Sequence, residues 1–222
     1  MMASLMRYCF FTFLACLISL ASGCATFEML EPPGVRSQLS PEFDAERFAR
    51  IAVIVEDETL TWDRTPLSGG VYRGIEDDFV HRLMEKGYTL ASRSDIHQIV
   101  AEGEFQREST LTADDAVGIG EMLNVPAVLI VSITEAEVTS SLETFRTTSI
   151  DGEQREEERR VFQGHGAIGA RLIDVETGEV LWIANHSERQ RIPGGDQVGQ
   201  ALRPVAAAVA RAFPERQIGE SR

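Results

Sequence analysis

Apolar positions along the chain fall into two kinds of run, and the spacing inside each run names an element. Residues 51–55 (IAVIV) and 125–133 (VPAVLIVSI) are nearly continuous apolar stretches rich in β-branched side chains. A strand buried on both faces reads this way, because neither side of it has to meet water. Between these two stretches the apolar residues recur at three- and four-residue steps. Val71, Ile75, Phe79, Val80, Leu83 and Met84 form one such stripe, with Gly87 behind it as a C-cap. That period places them on one face of a helix. Tyr88-Thr89-Leu90 predicts a second, short strand, and Ser94-Asp95 an N-cap for a helix through Ile96, Ile99 and Val100. Thr112, with Asp115 three residues on, has the form of a capping box. It precedes the stripe Ala116, Ile119, Met122 and Leu123, which Asn124 stops.

The second half changes character. Residues 135–160 are polar, carry the turn dipeptide Asp151-Gly152 and end in a run of six charges from Arg155 to Arg160, which predicts a water-exposed hairpin. Residues 161–175 become strand-like again. Glu176-Thr177-Gly178-Glu179 makes a tight turn and residues 180–184 run back as the partner, so RLIDVETGEVLWIA reads as a β-hairpin. Gly194 and Gly195 open a loop. Val198, Leu202, Val205, Val209 and Phe213 mark a last helix that Pro214 ends. Pro204 lies inside that stripe and predicts a kink, or a helix that starts only near Arg203. No internal repeat is visible. Helices alternate with strands first and an antiparallel hairpin closes the chain. The expected fold is an α/β (α+β) sandwich, a mixed β-sheet with helices packed on it and a long C-terminal antiparallel hairpin.

The N-terminus sets the compartment. Arg7 precedes an apolar run of 13 residues, 8–20, followed by the small residues Ala21-Ser22-Gly23 and then Cys24. This is the layout of a secretory signal, and 13 residues fall short of the ~20 a spanning helix needs. A cysteine directly after the small residues resembles the lipobox of bacterial lipoproteins, with Ala21 in place of the usual leucine. That resemblance implies cleavage before Cys24 and attachment of lipid to its thiol, and Ala25 at the next position favours the outer membrane. Cys9 and Cys16 would leave with the signal, so the mature chain would keep no spare thiol in an oxidising compartment. Residues 24–46, with Pro32, Pro33, Gly34 and Pro41, read as a tether, residues 47–215 as one globular domain and 216–222 as a disordered tail.

Charge narrows the partners. The 222 residues carry a net charge of −14, and removal of residues 1–23 takes only Arg7 and leaves −15 on 199 residues. So acidic a surface repels nucleic acid, which is set aside.

Motifs that would carry chemistry are sparse. Gly164, Gly166 and Gly169 spell G-x-G-x-x-G but lead into a strand, whereas dinucleotide binding needs that motif to open a helix. A strand relieved by glycine for close packing is expected instead. His81, His97, His165 and His186 show no metal-ligand spacing. Hairpin pairing centred on the 176–179 turn puts His186 opposite about Gly169, out of register with His165, and all four are expected at the surface. No G-x-S-x-G elbow or S-x-x-K is present. Asp57 and Asp63 follow the first strand, where a solvated loop is expected, and Trp62 and Trp182 are expected in the core or at an interface. No catalytic, cofactor or metal residue is assigned. Cys24 is the one functional residue, as the lipid attachment point.

Three stretches together resemble the CsgG-like family of envelope lipoproteins, named for the curli-export channel. They are the opening strand IAVIV behind a lipidated N-terminus, LTADDAVGIGEMLNVPAVLIVSITEAEV, and ARLIDVETGEVLW with its D-x-x-T-G-E turn. The resemblance covers roughly residues 47–187 and implies an α/β sandwich, and no enzymatic activity is expected. In the curli channel two hairpins per subunit enter the outer membrane, the first of them where residues 139–162 lie here. A lipid-facing strand alternates apolar residues over ~9–11 positions, and between Thr139 and Arg160 only Leu142, Phe145 and Ile150 are large and apolar. After Arg191, where the second would fall, the chain has only PGGDQVG before a helix. The expectation is an outer-membrane lipoprotein facing the periplasm, held to the membrane by its lipid and binding envelope protein partners as an assembly or regulatory factor. A ring-forming homo-oligomeric subunit of an export complex is the alternative.

Overall fold

Two parallel strands, each apolar on both sides, organise the molecule. The structure is a computed structural model and describes residues 34–59, 67–102, 110–148, 152, 154–193 and 198–216. Strand β1 is Arg36–Leu39, β2 Arg50–Asp57, β3 Thr89–Leu90, β4 Ala127–Thr148, β5 Gln154–Asp174 and β6 Val180–Ile192. The helices are α1 Gly69–Glu85, α2 Arg93–Glu102, α3 Ala113–Leu123 and α4 Val198–Ala212. The sheet order is β1-β6-β5-β4-β2-β3, with β2 parallel to β3 and β4, and β4, β5, β6 and β1 successively antiparallel. The hydrophobic pattern predicts this mixed α+β sheet, without the edge strand β1.

Both faces of β2 and of the first third of β4 are covered. Ile51, Val53, Leu129, Val131 and Ile133 meet α1 and α4 through Ile75, Phe79, Leu83, Leu202, Val205 and Val209. Ala52, Ile54, Val128 and Ile130 meet α2 and α3 through Ile96, Ile119 and Leu123. The continuous apolar runs follow from this, since every residue of 51–54 and 127–133 has a helix above or below it.

Local signals place the helix ends. At the end of α1 the N–H of Gly87 donates to the Met84 carbonyl and that of Tyr88 to the Leu83 carbonyl, with Gly87 at φ 87°. This is a Schellman turn, and glycine there avoids the Cβ strain of positive φ. At the start of α3 the Asp115 N–H donates to Thr112 Oγ1 at 3.2 Å and the Thr112 N–H to Asp115 Oδ2 at 2.8 Å, completing the capping box. Asn124 ends α3 at φ 51°. In the β5–β6 turn, buried Asp174 accepts from the Glu176 N–H at 2.9 Å and from Arg47 at 3.2 Å.

Several expectations change. Residues 36–39, within the stretch read as tether, form β1 and pair with β6, while Phe43 and Phe48 stack and pack on the core. A four-residue edge strand with every side chain exposed has no apolar period to betray it. At the other end Arg216, read as tail, donates to Glu46 at 2.7 Å and to the Gly87 carbonyl at 3.0 Å. Helix α2 starts at Arg93, one residue before the expected cap, and the Ser92 carbonyl accepts its first bond from Ile96. Helix α4 runs through Pro204 from Val198. The carbonyl of Gln200, which Pro204 cannot serve, accepts instead from the Gln190 side-chain amide at 3.0 Å. Residues 1–33, 60–66 and 217–222, with Cys24, Trp62 and Asp63 among them, lie outside the described residues.

Candidate functional site

A bulge in β4 builds a polar surface on one face of the sheet. Up to Ser132 the even residues of β4 face α2 and α3, but the register steps between Ile133 and Glu135 and leaves Thr134 extra. The odd residues then take that face, so Ala136 turns into the core under α4 while Glu135 and Glu137 point out. Without the bulge, Glu135 would be driven into the apolar side, because a one-residue shift flips every side chain of a strand.

On the same face Glu137 stands opposite His165, His165 opposite Arg189, and Ala167 opposite Ser187. Glu135, Glu137, His165 and Arg189, with Glu58 and Thr59 just past β2 and Thr134 at the bulge, line a groove of about 580 Å³, and Ser187 stands on the same face at its edge. His165 Nδ1 lies 3.0 Å from Glu135 Oε2, and its Nε2 lies 3.0 Å from Ser187 Oγ. Among the described residues Arg189 has no hydrogen bond or ion pair.

Beside the groove, Glu56 is almost fully covered and accepts from Ser132 Oγ at 2.5 Å and from the Leu111 N–H at 2.7 Å. Burial pushes its carboxyl above the usual carboxylate range, against the lowering effect of those two bonds and of Arg171, 3.8 Å away. Arg171 also donates to the Leu111 carbonyl, so Glu56 and Arg171 together clamp the entry to α3 onto the sheet. A smaller cleft of about 220 Å³ lies between α1 and α2 at the β3 edge, where the Glu76 carboxylate is held by Arg93 at 2.7 Å.

The residues singled out in the sequence fare unequally. Asp57 is buried at the end of β2, where it accepts from Tyr72 Oη at 2.8 Å and from the Thr59 N–H at 2.9 Å, so it does not lie in a solvated loop. His186 is buried too and stands opposite Ile168, one residue from the expected register. It faces α4 while His165 faces the groove, so the two histidines are on opposite sides of the sheet. His81 and His97 are exposed. Among the described residues no group of three or more His, Cys, Asp or Glu is placed to hold a metal. Trp182 is in the core, edge-on to Phe213. Gly164 and Gly166 let α4 approach, since a Cβ on them would come within 2.6 Å of Ala201 Cβ and 2.8 Å of the Ala201 carbonyl oxygen. Helix α4 therefore occupies the space a phosphate would need. The sequence held no signal for the groove, because its residues come from four strands and share a face only through the bulge.

Past the groove the hairpin leaves the sheet. The last β5–β6 pair is Phe162 with Ile192, so residues 141–148 and 154–161 pair only with each other. Eight residues per strand make a ribbon about 27 Å long. One of its faces carries Glu143, Phe145, Arg159 and Glu157, the other Leu142, Arg146, Arg160 and Glu156. Arg146 bonds Glu156 across the strands at 2.7 Å and Glu143 reaches Arg191 of β6 at 2.7 Å. Neither face alternates apolar residues, and among the described residues no helix is long and apolar enough to cross a membrane.

Several solved structures are similar to parts of this chain. A PelC dodecamer from Paraburkholderia phytofirmans is 16% identical, with 82% of this chain and 98% of that chain covered and a TM-score of 0.44. Lipoprotein GNA1162 from Neisseria meningitidis is 18% identical over 68% of this chain and 91% of that one, with a TM-score of 0.42. The LpoB C-terminal domain from Salmonella enterica is 15% identical over 64% and 84%, with a TM-score of 0.38. The sequence matches none of the curated proteins. The family model of the curli production assembly/transport component CsgG matches residues 38–199, from β1 to the first turn of α4, and the chain belongs to that family.

Proposed function

We propose that this protein is an envelope lipoprotein, anchored in the outer membrane by lipid on Cys24 and facing the periplasm, whose CsgG-like domain binds protein partners as an assembly or regulatory factor. The ribbon of residues 141–148 and 154–161 carries the reading. A two-stranded ribbon with both faces in water is marginal by itself, and this one is lined by charges and threonines that suit a polar partner surface. It is a poor bilayer element, since each Arg on a lipid face costs ~2–4 kcal/mol near the midplane. Family membership supports a role in envelope assembly.

The second reading is a ring-forming subunit of an export complex, which the family's assembly and transport role favours. Mass-resolved analysis of the detergent-extracted protein separates the two. A monomer or dimer without conductance in a planar bilayer is the expected result, and a closed ring that conducts ions would sink the adaptor reading. The anchor is tested with a palmitate label, which Cys24→Ser must abolish. A label that survives the substitution refutes it.

A further inference from the structure

The groove beside the β4 bulge holds an arrangement that partner binding does not call for. Glu135, His165 and Ser187 sit on three adjacent strands: Glu135 Oε2 lies 3.0 Å from His165 Nδ1, and His165 Nε2 is hydrogen-bonded to Ser187 Oγ at 3.0 Å. A carboxylate only accepts, so the Nδ1 facing Glu135 carries the imidazole proton, and Nε2 presents its lone pair to the Ser187 hydroxyl. This is the order of contacts by which a serine becomes a nucleophile: acid to Nδ1, hydroxyl to Nε2. Arg189 is two residues beyond Ser187 on the same face of β6, about 7 Å along the strand. Its guanidinium lines the groove without a partner among the described residues, free to meet an oxyanion. Ser187 is exposed, so a substrate reaches it directly.

We propose that Ser187, His165 and Arg189 form an acyl-transfer site, with Glu135 as the positioning residue, that hydrolyses short acyl esters of polar alcohols. In the first step Ser187 Oγ attacks the ester carbonyl and gives its proton to His165 Nε2, while Arg189 faces the developing oxyanion. Collapse expels the alcohol, which takes that proton from His165. Water, with His165 again as base, cleaves the acyl-serine to carboxylic acid and free Ser187. Ester plus water thus becomes acid plus alcohol, with no other reactant. The walls set the substrate class. Glu58, Glu137, Thr59 and Thr134 accept hydrogen bonds from hydroxyls, and no large apolar side chain lines the groove to bind a long acyl chain. The acidic rim disfavours an anionic alcohol.

The site is on the sheet and not on the ribbon, so it stands or falls apart from the partner-binding reading. The test uses the full chain in detergent, treated with a fluorophosphonate probe and analysed by intact mass and peptide mapping, with hydrolysis of p-nitrophenyl acetate measured alongside. One adduct on Ser187 is expected, absent in Ser187→Ala. His165→Gln should lower the acetate rate ~100-fold or more, the range a positioned general base contributes. Glu135→Gln should lower the rate and move the acid limb of its pH profile, which a merely structural carboxylate would not do. Folded wild-type protein that takes no adduct at Ser187, or Ser187→Ala that turns over acetate at the wild-type rate, overturns the proposal.

Discussion

Gln190 on β6 donates its side-chain amide to the carbonyl of Gln200, 3.0 Å away in the first turn of α4. That carbonyl is the one whose helical donor would be residue 204, and residue 204 is a proline. A proline inside a helix removes one ladder bond and costs ~3 kcal/mol or more. Here the strand replaces the lost donor, so the helix continues across it. Gln190→Ala should therefore destabilise the domain by about 1–2 kcal/mol in urea unfolding. In a Pro204→Ala background, where the main-chain donor returns, the same substitution should cost less than half as much. Equal costs in both backgrounds would show that the side chain does not stand in for the missing bond.

The two glycines under α4 should behave unlike the third of their motif. Gly166→Ala places a methyl 2.8 Å from a main-chain oxygen, and the helix must move to admit it. A loss of about 1–3 kcal/mol is expected, the usual range for overpacking. Gly169→Ala meets nothing within 4 Å, so its stability should stay within about 1 kcal/mol of wild type. Thermal melts of the two variants side by side decide this.

Tyr88 presents a different imbalance. Its hydroxyl is buried with no partner among the described residues, and burial pushes its pKa up to about 12. Leaving a buried hydroxyl unbonded costs ~1–3 kcal/mol. The ring itself packs edge-on against Phe213 at 5.2 Å. Tyr88→Phe keeps that contact and removes the orphan, so the variant should unfold at a higher denaturant midpoint with an unchanged slope.

Glu56 makes stability depend on pH with a definite sign. Its folded carboxyl titrates above the unfolded one because burial disfavours the charge. Its contribution is thus fully present below the usual carboxylate range and is lost as pH rises through the raised value. Glu56→Gln should remove that fall, leaving the difference between variant and wild type smaller at pH 7 than at pH 4. A difference that grows with pH would mean that the ion pair with Arg171 outweighs burial.

Hydrogen exchange should divide the long hairpin in two. Amides of residues 129–133 lie in ladders covered on both faces, whereas those of 141–148 lie in a ribbon covered on neither. Local opening is easiest where little apolar area is buried. The ribbon amides should exchange at least ~100-fold faster, a gap of about 2.7 kcal/mol. Comparable protection in the free protein would mean that the ribbon is already covered, for instance by a second copy.

Much of this fold was legible because local physics wrote it. The apolar runs at 51–55 and 125–133, the stripe ending in Gly87, the Thr112–Asp115 box and the 176–179 turn each answer to contacts within a few residues, so spacing alone carries them. Family membership was legible for the same reason, as those elements in that order are the resemblance. What lay beyond reach depends on residues far apart in the chain. Strand β1 exists because β6 offers it an edge, and α4 passes Pro204 because Gln190 lies beside it. Asp57 and His186 are buried by neighbours whose positions no periodicity states. The bulge at Thr134 has no side-chain signature at all, yet it alone turns Glu135 toward His165 and Ser187. The sequence thus determined the elements and the family, through interactions among near neighbours. Only the tertiary structure decided which face each polar residue takes, because strand register is a property of the assembled sheet.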